Sequence, residues 1–102
     1  MSQVIQGTFA TGSNPVSGND SPPLVIPTGF TSARLTLTGL DASNTVKSQK
    51  RTAPGGAWAD QTTYNSNQTL VAVTVANGEE WRILGITQQA LKDIQYKFSA
   101  ES

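Results

Sequence analysis

The 102-residue chain contains no cysteine and no histidine. The absence of cysteine excludes disulfide bonds, zinc–thiolate sites and thiol catalysis. The absence of histidine removes the side chain that most often serves as a general base or as a metal ligand. From these two absences we expect a protein without a catalytic, cofactor-binding or metal site.

The chain is also poor in charge. Charged residues make up 14% of it, against about 25% in an average globular domain. Its seven acidic and seven basic residues cancel, whereas a nucleic-acid-binding protein needs a basic surface to neutralise phosphates. The densest basic cluster, Lys47, Lys50 and Arg51, is therefore interpreted as a solvated strand edge or a set of polar contacts, and no nucleic-acid partner is expected.

The seven carboxylates are scattered over predicted turns and strand ends. Their spacing indicates neither the paired acids of a glycosidase nor the loop of an EF-hand calcium site. Glu79 and Glu80 directly follow Asn77-Gly78, where polar residues commonly flank a turn. We interpret these acids as structural and predict that the protein is not an enzyme.

Long hydrophobic runs are missing as well. The longest, LVAV at positions 70–73, falls far short of the about 20 residues that span a membrane. The N-terminal sequence MSQVIQGTFATG lacks the basic and apolar segments of a secretory signal. The sequence therefore predicts a protein that is made in a cytoplasm and has no membrane partner.

What the chain does contain is a series of short strand patterns. Ala33, Leu35 and Leu37 alternate with polar residues, as in a strand with one buried face. Similar patterns predict strands at 4–9, 24–26, 33–37, 45–51, 58–64, 69–75, 81–86 and 94–98. Residues 87–93 are read as a loop, so no helix is expected. The chain therefore predicts one domain, 1–102, folded as an antiparallel β-sandwich of seven or eight strands with jelly-roll or immunoglobulin-like topology.

The polar segment at 11–23 is rich in proline and glycine and has no hydrophobic period. We expect a flexible loop or an extended arm there, and an arm of this length could reach a neighbouring molecule. Its candidate partner-contact residues are Asn14, Pro15, Val16, Pro22 and Pro23.

Two turns join predicted strands. Asn77-Gly78 is the strongest short hairpin signal, and TAPGGAWAD at 52–60 predicts a second hairpin. Trp58, next to that turn, is expected to cover one end of the core, although contact with a ligand or a subunit interface is also open. Tyr64 is expected at a strand end, exposed with its hydroxyl in water, and is a further candidate partner contact. The residues expected to point inward are Phe9, Leu35, Leu37, Val46, Trp58, Val71, Val73, Val75, Trp81, Ile83, Tyr96 and Phe98.

The order of these patterns resembles a family. GTFATG near the N-terminus is followed by the PGGAW turn, then NGEEWRI, then the final strand IQYKF. This arrangement is similar to small β-sandwich virion proteins of tailed bacteriophages. The resemblance covers nearly the whole chain, but it consists of strands and turns rather than a catalytic signature.

The resemblance implies an architectural role in the virion. Such proteins commonly decorate the capsid shell, so it implies a decoration (cement) protein that binds the outside of the major capsid protein shell as a homotrimer. The alternative is a head or tail fibre or receptor-binding module that recognises host-surface glycans, with Trp58 and Tyr64 as stacking residues.

Overall fold

The computed structural model describes residues 2–9, 21–52, 55–87 and 93–101, and within them the regular secondary structure is all β-strand. Eight strands follow one another: β1 (Ser2–Phe9), β2 (Leu24–Val25), β3 (Ser32–Thr38), β4 (Thr45–Arg51), β5 (Ala59–Tyr64), β6 (Gln68–Thr74), β7 (Glu80–Thr87) and β8 (Ile94–Glu101). The all-β prediction is confirmed. No helix that could cross a bilayer occurs in this described part of the chain.

The strands form two antiparallel four-stranded sheets packed as a sandwich. Sheet A has the order β1-β8-β3-β6, and sheet B has the order β2-β7-β4-β5. The first strand therefore pairs with the last, the second with the seventh, the third with the sixth and the fourth with the fifth. This nested pairing is that of a jelly roll, whereas in an immunoglobulin-like sandwich the first strand pairs with the second. The topology that the sequence left open is thus decided.

Nested pairing changes the role of one predicted turn. Asn77-Gly78 does form a turn, closed by a 3.1 Å hydrogen bond from Glu79 N to the carbonyl oxygen of Ala76. However, it joins β6 of sheet A to β7 of sheet B, so the predicted hairpin is wrong. The turn containing Gly55 joins β4 to β5, which are paired, and this second predicted hairpin is confirmed.

The core lies between the two sheets. Every second residue of a strand points inward, and these side chains pack against those of the opposite sheet. Trp81 of sheet B stacks on Phe98 of sheet A, with ring centroids 5.7 Å apart, and Phe9 lies 5.1 Å from Tyr96. Most of the residues predicted to point inward are buried: Phe9, Leu35, Leu37, Val46, Val75, Trp81, Ile83, Tyr96 and Phe98.

Three residues predicted to be in the core are only partly buried: Val71, Val73 and Trp58. Val71 and Val73 oppose Leu35 and Ala33, so they share the inward face. Their strand β6 is at the edge of sheet A, and no other strand among the described residues covers its flank. Burial at an edge is therefore incomplete even where the alternation is correct.

The segment around β2 holds the beginning of the second described stretch, 21–52, against β7. Ser21 N donates to the carbonyl oxygen of Ile83, and Ile83 N donates to the Ser21 hydroxyl, both at 2.8 Å. Leu24 and Val25 then pair with β7 as a two-residue edge strand, as the flanking prolines predict. Ser21 is buried, so the predicted free arm does not extend to the end of the 11–23 segment.

Candidate binding surfaces

The outer face of sheet B presents alternate residues of β4 and β7. Because Val46 and Ser48 are buried inward, Gln49 and Arg51 point to the opposite face. Gln49 lies opposite Arg82, and Arg51 lies opposite Glu80. The pairing of these two central strands therefore collects two guanidinium groups on one surface.

Trp58 lies on this surface. Its ring centroid is 4.5 Å from the guanidinium carbon of Arg51 and 4.2 Å from that of Arg82, which are cation–π distances. The prediction that Trp58 covers the core is wrong. The reason is that β5 begins only at Ala59, so Trp58 precedes the strand and the cations on the outer face bind its ring. We call Trp58, Arg51 and Arg82 the Trp58 platform.

Hydrogen bonds fix the arginines of the platform. Arg51 Nη2 forms a 3.0 Å ion pair with Glu80 Oε1, and Arg82 Nε donates to Gln49 Oε1 at 2.8 Å. Gln49 and Glu80 are 7% and 6% exposed although they belong to the outer face. Platform side chains therefore cover the groups that hold them.

A second chain of contacts continues from Gln49 toward the sheet edge. Gln49 Nε2 donates to Asp60 Oδ1 at 2.7 Å, and Lys47 Nζ donates to Asp60 Oδ2 at 3.0 Å. The hydrogen bonds from Gln49 and Lys47 hold the pKa of the Asp60 carboxyl below its ordinary value. This carboxylate is therefore ionised and engaged at neutral pH.

The remaining basic residue of β4, Lys50, forms an ion pair at one end of the sandwich. Its Nζ pairs with Glu79 Oε2 at 3.0 Å, while Glu79 Oε1 accepts from Trp81 Nε1 at 3.1 Å and from Ala76 N at 2.8 Å. Burial raises the pKa of Glu79, but these three hydrogen bonds outweigh it and leave the pKa below its ordinary value. Lys47, Lys50 and Arg51 thus make polar contacts, which is one of the two alternatives that the sequence left open.

Tyr64 is 9% exposed and belongs to the core, so the prediction of an exposed Tyr64 is wrong. Tyr64 opposes the inward Val46, whereas Asp60 opposes the outward Gln49. Residues 60 and 64 would share one face of a regular strand. Gln61 is an extra residue in a bulge between these pairs, and the bulge turns the later part of β5 inward.

The arm residues divide into two groups. Asn14, Pro15 and Val16 lie outside the described residues. Pro22 and Pro23 are exposed, between the buried Ser21 and Leu24, and so they are accessible to a partner.

The outer face of sheet A carries a second surface, a shallow polar groove of about 370 Å³. Strands β1, β8 and β3 line it with Gln6, Gly7, Thr8, Thr36, Thr38, Gln95, Tyr96 and Lys97. Sequence reasoning missed this site. Each strand shows its polar outward positions, but only the pairing of the first, third and last strands brings them together.

The described residues include no group of three or more histidine, cysteine or acidic side chains that could hold a metal ion. Comparison of the chain with protein-family models and with curated proteins finds no match. The resemblance to tailed-phage virion proteins, and the function it implies, therefore stay predictions.

Proposed function

We propose that the chain is a non-enzymatic structural protein of a tailed-bacteriophage virion, a capsid decoration protein that binds the outside of the major capsid protein shell. The observation that carries the proposal is the Trp58 platform: a half-exposed tryptophan held over two arginines on the outer face of sheet B. The resemblance of the sequence to phage virion proteins supplies the identity of the partner.

The platform has the composition of a protein-contact surface. Tryptophan and arginine are the residues most enriched among those that dominate binding energy at protein interfaces. Here Arg51 is anchored by Glu80 and Arg82 by Gln49. Because these side chains are already ordered, less conformational entropy is lost when a partner binds. The exposed side chain of Val25, opposite Glu80 on the neighbouring strand, adds apolar area.

The use of the titratable groups supports a non-enzymatic role. Asp60, Glu79 and Glu80 are each paired with a lysine or arginine of β4. Asp41 Oδ1 accepts hydrogen bonds from the backbone amides of Ser43 and Asn44 in a tight turn. These carboxylates stabilise the fold, and none of them lines the polar groove.

The proposal includes self-association as a homotrimer on the shell and a role for residues 11–20 as an arm. Such an arm would lose conformational entropy on ordering. Binding at several linked sites around a symmetry axis would offset this cost through a high effective concentration. A mature virion is the place where the protein would act.

Binding to preformed capsids of the encoding phage tests the proposal. We expect Trp58→Ala to weaken binding by about 2 kcal/mol or more, the range of interface hot spots. Thr74→Ala, on the exposed face of sheet A, is the matched control and should bind normally. Equal binding of both variants, with unchanged melting temperatures, would rule out the platform as the contact surface, and no binding of the unaltered protein would overturn the decoration function.

The arm is tested separately. Deleting residues 1–23 would remove β1, which pairs with β8 along its whole length, so the loss of folding would obscure the result. Replacing residues 11–20 with a glycine–serine linker keeps β1 and Ser21 in place. Unchanged capsid affinity of this variant would show that the arm plays no part in binding.

A further inference from the structure

The polar groove on sheet A carries an inference beyond the proposed function, since a protein that decorates a shell needs no site for a small molecule. Six outward side chains form the floor of the groove, in two rows that cross the strands. One row contains Gln6, Lys97 and Thr36, and the next contains Thr8, Gln95 and Thr38. Neighbouring strands are about 4.8 Å apart and successive outward residues about 6.8 Å apart. The array is therefore about 10 Å by 7 Å, comparable with a sugar ring and its substituents.

The hydrogen-bonding capacity of this array is largely unused. The side chains of Gln6, Thr8 and Lys97 make no hydrogen bond or ion pair with any other residue that the structure describes. Thr38 Oγ1 reaches Gln95 Oε1 only at 3.5 Å, the long limit of a hydrogen bond. On sheet B, by contrast, Lys47, Gln49 and Arg51 are all engaged.

The charge of the groove favours an anion. Lys97 lies at the centre of its row, between Gln6 and Thr36. None of the described residues that line the groove is a carboxylate. An approaching anion therefore meets an ammonium group that no described acid neutralises.

We propose that this groove binds an acidic sugar residue. The sugar carboxylate pairs with Lys97 Nζ in a charge-assisted hydrogen bond. The ring hydroxyls exchange hydrogen bonds with the amides of Gln6 and Gln95 and with the hydroxyls of Thr8 and Thr38, which can both donate and accept. The volume of about 370 Å³ lies at the small end of small-molecule sites, and the polar lining disfavours an apolar ligand.

The test is a nuclear magnetic resonance titration of the folded protein with three probes. Methyl glucuronide carries both the carboxylate and the hydroxyls, methyl glucoside carries the hydroxyls without the carboxylate, and acetate carries the carboxylate alone. We expect amide shifts centred on Gln6, Thr36, Gln95 and Lys97 with the glucuronide, at a millimolar dissociation constant. Glucoside and acetate should each bind about tenfold more weakly.

Variants locate the two halves of the interaction. Lys97→Gln should weaken glucuronide binding about tenfold and bring it to the glucoside level. Gln95→Ala should weaken glucuronide binding without affecting the response to acetate. Arg34→Gln, which removes a cation of the same face outside the groove lining, is the matched control and should retain most of the affinity. All three positions are exposed, so melting temperatures should change little.

Three results would overturn the proposal. These are no shifts with the glucuronide, shifts centred on another surface, or equal responses to glucuronide and acetate, which would indicate a simple carboxylate site. Because the groove and the Trp58 platform lie on opposite sheets, the capsid-binding test and this titration can fail independently.

Discussion

The indole Nε1 of Trp81 donates a 3.1 Å hydrogen bond to Oε1 of Glu79, and both residues are nearly buried. Trp81 packs on Phe98 in the centre of the sandwich. The carboxylate of Glu79 therefore links the apolar core to Lys50 at the end of β4, and one acidic side chain satisfies an indole, an ammonium group and a backbone amide.

This link makes the stability dependent on pH. Glu79→Gln should lower the free energy of unfolding by about 1–3 kcal/mol at neutral pH, because a charged acceptor of several hydrogen bonds is lost. The pKa of folded Glu79 is below its ordinary value of 4.5, so its contribution is complete above 4.5 and is lost as pH falls through the folded pKa. Urea unfolding at a series of pH values measures this, and a difference between the proteins that did not shrink in acid would contradict it.

A second prediction concerns Gly39, where the chain leaves β3. Its φ is +83°, and an added Cβ would collide with the backbone carbonyl oxygen of Asp93. Gly39→Ala should cost about 3 kcal/mol or more, the sum of left-handed strain and overpacking. Gly29, with φ +91° and no atom of a described residue within 4 Å of an added Cβ, is the control, and Gly29→Ala should cost about 1–2 kcal/mol. Thermal unfolding compares the stability of the two variants. Equal losses of stability would show that the contact with Asp93 does not matter.

Leu70 offers a stabilising change. It has a φ of +48° and an exposed side chain, in a bulge where two residues of β6 oppose one of β3. Asparagine adopts this left-handed region more readily than leucine, so Leu70→Asn should raise the free energy of unfolding by up to about 1 kcal/mol. Thr74→Asn, in the regular part of the same strand, should instead be slightly destabilising. Chemical denaturation that ranked the two variants in the reverse order would refute the strain argument.

The network below the Trp58 platform predicts a change in one titration. The hydrogen bond from Gln49 is the main cause of the low pKa of Asp60, ahead of the one from Lys47. Gln49→Ala should therefore raise the pKa of Asp60 toward its ordinary value of 3.8. The control is Gln61→Ala, whose amide contacts the backbone oxygen of Asp60 rather than the carboxylate. Titration of the Asp60 carboxyl carbon signal by nuclear magnetic resonance measures this pKa in both variants. An unchanged pKa in Gln49→Ala would assign the low value to Lys47 instead.

The strands themselves could be predicted because their signals are local. Apolar and polar residues alternate along 33–37 and 94–98, which is visible in the sequence itself. Both segments are strands with the expected residues buried. Turn residues are local too, so Asn77-Gly78 and the glycine turn at 55 were placed correctly. The candidate site could be predicted only in part. Trp58 was singled out, but its two partners, Arg51 and Arg82, are 7 and 24 residues away from it in sequence. They come close to each other only because their strands pair.

The sequence by itself thus determined an all-β sandwich, its strands and most of its inward faces, since period-two burial needs only neighbouring residues. Tertiary structure decided which strands pair, and with that the jelly-roll order, the failure of Asn77-Gly78 to make a hairpin and the polar groove formed by β1, β8 and β3. It also decided the faces of Trp58 and Tyr64. Trp58 precedes β5 and lies against two arginines of the outer face. The face of Tyr64 is reversed by an extra residue in a bulge, and only the partner strand shows where that residue lies.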